Sequence, residues 1–172
     1  YAKPKRQLMI FEPILNAPIY IQVHAGAAMI ALLLGPFVIL RNRRDRLHKA
    51  GGYIWVLVMA CAAISSFWIM EFRVIGPFSP IHGLSIYALW SLYRGVSYAI
   101  ARNIEAHRQT FRGLYLQGLV LAGLFTLLPD RILNRMLFGE MPMVGVAVLL
   151  VGLLFIGTVI VRRMMQRRTS LT

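Results

Sequence analysis

The chain has little that reacts. Its 172 residues include one cysteine, Cys61, set inside an apolar run. No disulfide framework is available, and Cys61 reads as a small buried apolar side chain that is silent about redox compartment. Acid is scarce as well: six carboxylates (Glu12, Asp45, Glu71, Glu105, Asp130, Glu140) stand against 19 Lys and Arg. No two of them share a helical spacing, which argues against a paired-carboxylate active site. No pattern recurs at a fixed period and no stretch is low in complexity.

Apolar surface, by contrast, is abundant. Hydrophobic residues make up 58% of the chain and the mean hydropathy is +0.65, too oily for a water-soluble domain of this length. The chain therefore reads as an integral membrane protein whose first partner is the lipid bilayer. A net charge of +13 would suggest nucleic acid in a soluble protein. Here the cations cluster at the ends of apolar runs instead of along one amphipathic face, so positive-inside bias and anionic headgroups account for them and no nucleic acid is expected.

Five runs are long enough to cross a bilayer, which takes about 20 residues: 17–40, 51–70, 82–101, 107–128 and 141–161. They predict an all-α polytopic transmembrane helical bundle of five visible spans, the first four forming the core and the fifth packed peripherally. Residues 1–16 are too short between charges to span and read as an outer or interfacial segment, 17–161 as the transmembrane domain, and 162–172 as a basic cytoplasmic tail. Gly76, Pro77 and Pro80 mark the turn between spans 2 and 3, and residues 130–140 an outer loop of mixed charge.

Topology rests on the stretch Arg41–Tyr53, RNRRDRLHKAGGY, which places five basic residues and one acid between two apolar runs. With that loop inside, 13 of the 19 cations fall on the inner side, the pattern of a multi-pass protein of the bacterial inner membrane. Within span 1, positions 24, 28, 31 and 35 share one helical face and read His, Ala, Ala, Gly. That is a groove suited either to close helix packing or to a flat cofactor. Pro36 removes one backbone bond and crowds the carbonyl of Leu32, which predicts a kink.

The four histidines then alternate: His24 and His82 lie toward the outer ends of odd spans, while His48 and His107 head even spans from the inside. Two imidazoles facing each other across a bundle, apolar walls, and cations for the propionates are what a six-coordinate haem b requires. Arg94 and Arg112 are placed to serve an inner haem and Arg73 an outer one. The plainer reading makes His48-Lys49 and His107-Arg108 headgroup-facing boundary residues, and gives His24 a backbone or water partner. A metal site from His24 and His82 with Glu71 or Asp130 is a further alternative, without a recognisable ligand spacing.

Several segments together, HAGAAMIALLLGP, LHKAGGYIW, FSPIHGLS and AHRQTFRGLY followed by AGLFTLLPDR, resemble the bacterial family of predicted membrane proteins catalogued as domain of unknown function 2306. The resemblance covers residues 18–140; His48-Lys49 stands where the family commonly has His-Arg. It implies a membrane fold, not an activity, and a further hydrophobic segment upstream of Tyr1. The histidine layout is also similar to two-haem transmembrane cytochromes b, whose ligands sit well inside the helices, whereas His48 and His107 lie at the boundary. Two functions are therefore expected to compete: haem-mediated electron transfer, with His24 and His82 as the first pair, and an accessory subunit docked on other membrane proteins through Gly- and Ala-rich faces. Whether the chain is an enzyme stays open.

Overall fold

The loop after the first long helix ends on Asp45, and that residue decides where the second long helix begins. In the computed structural model, which describes residues 11–39, 41, 45–70, 80–139 and 141–169, the Asp45 side chain accepts from the His48 backbone N–H at 3.0 Å, capping the helix Arg46–Ser65. Arg41 clamps the same carboxylate through Nε at 3.0 Å and through Nη2. The cap explains why this helix starts earlier than the expected residue 51. Its first turn is charged, and it is held by an N-terminal acceptor rather than by apolar packing.

The chain divides into two units, Ile14–Val120 and Tyr1–Pro13 with Leu121–Thr172. After a single turn α1 (Glu12–Leu15), the first unit contains α2 (Ile19–Ile39), α3 (Arg46–Ser65), a 3₁₀ turn (Ser66–Trp68), α4 (Pro80–Ile100) and α5 (Ile104–Gly113), which continues as a π-helical segment, Leu114–Val120. Neighbours follow chain order: α2 lies against α3, α3 against α4, and α4 against α5, with α5 and its π segment closing back on α2. Among the described residues, no Cα pair brings α2 within 8 Å of α4, or α3 within 8 Å of α5. Four helices in a ring with two diagonals result, as short connections between antiparallel neighbours dictate.

The turn from α4 to α5 shows how short such a connection can be. Arg102 takes a left-handed conformation (φ 58). Its N–H donates to Ala99 O at 3.2 Å and that of Asn103 to Tyr98 O at 2.9 Å, the paired bonds that close a helix C-terminus. Asn103 then caps α5 by accepting from Ala106 N at 3.2 Å.

The core of this unit sets small side chains against large ones: Ala31, Ala63 and Ala88 surround Trp55, Phe111 and Leu114. Gly35 is the closest approach. A Cβ there would lie 2.3 Å from the Tyr115 ring and 3.2 Å from Trp55 Nε1, so only glycine fits. The small face expected along span 1 is thus filled by this chain's own aromatics, Trp55 and Tyr115. Large apolar residues such as Leu33, Phe37 and Leu57 point outward, more than 60% exposed, as suits a lipid-facing surface. In that solvent, packing and buried hydrogen bonds, not hydrophobic burial, hold helices together.

Two helices, Ile19–Ile39 and Arg46–Trp68, are long and apolar enough to cross a membrane, or three if the bent pair Ile132–Phe138 and Pro142–Leu154 counts as one span. Helix α4 has 21 residues, but His82, Ser85, Ser91 and Arg94 dilute its apolar character. Residues 1–10, Arg43, Arg44, Glu71, Arg73, Gly76 and Pro77 lie outside the described residues.

In the second unit, α6 (Leu121–Phe125) precedes α7 (Ile132–Phe138) and α8 (Pro142–Thr169). The expected loop 130–140 is largely helical, and the helical backbone of α8 runs through most of the expected basic tail. Asn134, fully buried, donates through Nδ2 to Leu127 O and to Pro142 O. It thereby ties the loop before α7 to the start of α8.

Candidate functional site

In a ring of four helices alternate members are diagonal, so the histidines of α3 and α5 start from opposite corners at the same end. His48 lies in the first turn of α3 and His107 in the first turn of α5. Their rings meet across the diagonal, with centroids 6.5 Å apart and planes at 77°.

One turn further along α5, the Phe111 ring stands edge-on to His107 at 4.9 Å and to Trp55 at 5.5 Å. The column His48, His107, Phe111, Trp55 is built from residues four apart on α5 and seven apart on α3, spacings that keep side chains on one helical face. Gly95 of α4 makes the column possible: a Cβ there would lie 2.7 Å from the Phe111 ring.

Hydrogen bonding fixes the state of one ring. His107 Nδ1 lies 2.9 Å from Gly95 O. Since a carbonyl oxygen only accepts, Nδ1 carries a proton, so that of the two neutral tautomers the bond selects the one with its lone pair on Nε2. His48 is different. Its Nδ1 is buried and has no hydrogen-bond partner among the described residues, a cost the fold bears at this end of the bundle.

At the opposite end, His24 Nδ1 donates to Ala62 O at 2.8 Å and His82 Nε2 to Phe67 O at 3.1 Å. Both acceptors belong to α3 and its closing turn, which lie between α2 and α4. Around them the Ser66 and Ser85 hydroxyls share a hydrogen bond and Ser65 Oγ donates to Cys61 O at 2.7 Å. This end is a buried polar layer that cross-links three helices. Cys61 itself is exposed, correcting the expected burial; it lines an apolar groove with Ile19, Val23, Leu57 and Trp68.

Arg94 and Arg112 are both exposed. Arg94 lies over the rings of Tyr98, at 4.8 Å, and Trp90, at 5.8 Å. Among the described residues no three or more His, Cys, Asp or Glu side chains form a group that could hold a metal ion. Of the carboxylates considered for an outer metal site, Glu71 lies outside the described residues and Asp130 belongs to the other unit. The aromatic partners Phe111 and Tyr115 and the role of Gly95 were not anticipated from sequence, although His107, Phe111 and Tyr115 form a stripe at helical spacing.

Residues 21–165 match the family described as "Predicted membrane protein (DUF2306)". No curated protein and no solved structure matches the chain.

Proposed function

We propose, for a chain that belongs to this DUF2306 family of membrane proteins, that the His48 and His107 pair ligates a b-type haem at the inner end of the bundle and that the protein carries electrons in the bacterial inner membrane. The observation that carries this reading is the 6.5 Å separation of the two rings across the α3/α5 diagonal. Two imidazoles sharing one metal ion hold their ring centres roughly 6 Å apart, given metal–nitrogen bonds of about 2.0 Å. Haem bound there would supply a one-electron carrier.

The chain's own residues are suited to hold it. Gly95 O fixes the His107 tautomer with Nε2 as the ligating nitrogen, the outer-shell hydrogen bond that orients such ligands. His48 Nδ1 has no competing partner among the described residues, and Phe111 and Trp55 wall the site from below. His24 and His82 lie on the other diagonal, each bonded to a backbone carbonyl of α3 or its closing turn. Because His82 donates through Nε2 to Phe67 O, ligation through that nitrogen would require it to give up a bond, so the inner pair leads. A multi-pass topology with the Arg41 loop in the cytoplasm follows from the cation count.

An accessory subunit docked through its small-residue face is less well supported, because Ala31 and Gly35 are already covered by Trp55 and Tyr115. The visible absorption spectrum of the purified protein separates the two readings. Sharp reduced-minus-oxidised bands of a b-type haem are expected; a colourless protein after expression with ample haem would leave the accessory role in front.

A further inference from the structure

We propose that the groove beside Arg94, between α4 and α5, binds the headgroup of an anionic phospholipid. Arg94 stands six residues before the end of α4 at Ile100, about 9 Å along the axis at 1.5 Å per residue, which is within reach of the headgroup layer. One guanidinium N–H goes to the Tyr98 hydroxyl, and the ring of Tyr98 lies beneath it at 4.8 Å. That leaves other donors of a planar five-donor group facing outward.

Among the described residues no carboxylate pairs with Arg94, and Asp45 is taken by Arg41. Glu105, on the facing helix, is engaged by Gln109 Nε2 at 2.7 Å. No described carboxylate therefore compensates the charge of Arg94. An exposed arginine near the end of α4 is open to an anion.

The surroundings select the kind of anion. The groove is lined by the polar side chains of Gln109 and Thr110 and by the aromatic rings of Tyr87 and Trp90. Trp90 and the adjacent Tyr93 are 59% and 65% exposed, so the groove opens sideways onto the surface that meets acyl chains. A soluble anion would be matched by the arginine alone. A lipid is matched by both parts: phosphate on the guanidinium in the geometry that arginine favours, and chain along Trp90 and Tyr87. Exposed Arg112 on α5 and Arg102 in the adjoining turn add positive potential, which favours a net-negative lipid over a zwitterionic one.

The test uses the whole protein in phosphatidylcholine bilayer discs carrying a trace of spin-labelled phosphatidylglycerol or spin-labelled phosphatidylcholine. The parent is expected to immobilise the phosphatidylglycerol label preferentially, and Arg94→Gln to lower that preference about fivefold while leaving the phosphatidylcholine signal unchanged. Arg94→Lys should retain part of it. Equal immobilisation of both labels by the parent, which needs no variant to fold, would overturn the proposal, as would a preference that survives Arg94→Gln. Inorganic phosphate should not displace the label; displacement would assign the groove to a soluble anion and equally end the lipid reading.

Discussion

The hydroxyl of Tyr115 donates at 3.0 Å to the carbonyl of Leu32, the one carbonyl of α2 that Pro36 leaves without its helical N–H. The two residues are 83 positions apart. The bond lets α2 run through Pro36 to Ile39 with its freed acceptor satisfied inside the bundle, and it draws the π-helical segment onto α2.

Removing that hydroxyl should therefore matter only while the proline is present. Tyr115→Phe is expected to lower stability in detergent by about 1 kcal/mol. In a Pro36→Ala background the backbone N–H returns to Leu32 and the same change should cost much less. Thermal unfolding of the four proteins of this cycle checks it; equal costs in both backgrounds would mean the hydroxyl is not serving that carbonyl.

Gly35→Ala places a methyl where the Tyr115 ring already lies, and Ala31→Leu overfills a site that is 0% exposed. Each should destabilise by about 1 to 3 kcal/mol. Retention of the parent's melting temperature by either variant would place this face toward lipid instead.

What could be read beforehand was what depends on neighbours in sequence. The apolar runs, the small face of α2 and the orphaned Leu32 carbonyl all follow from local spacing. So does the alternation of histidines, because short connections make alternate helices diagonal. Tyr115 was not legible as the partner of Leu32, since nothing local to either residue links them. The start of α3 was misplaced for a different reason: RLHKA looks like loop by charge, and only the Asp45 cap shows that it is helix. The alternation also pairs His48 with His107, but that their ring centres lie 6.5 Å apart shows only with the side chains of diagonal helices in view.

Arg102 adopts the left-handed conformation that glycine takes at little cost (φ 58). Arg102→Gly should raise stability by about 0.5 to 1 kcal/mol, the relief of the steric cost less the greater freedom of the unfolded glycine. A fall in unfolding temperature would show that the arginine side chain contributes more than its backbone costs.

The loop clamp carries a pH signature. The hydrogen bond from Arg41, with a further bond from the His48 N–H, holds the Asp45 carboxyl well below the usual carboxylate range. A depressed folded value means the contribution is fully present above the unfolded value of roughly 4 and is lost as pH falls toward the folded one. Acid titration of stability should thus be steeper for the parent than for Asp45→Asn below about pH 4. Parallel curves would remove the clamp from the account.

Haem ligation across the diagonal is read out by the reduced-minus-oxidised spectrum of the purified protein alongside His48→Ala and His107→Ala. A b-type signal is expected in the parent, and loss of the same component in both variants, because each ligand comes from one end of a single diagonal. A parent without haem, or a His107→Ala protein that keeps the full signal, would contradict it.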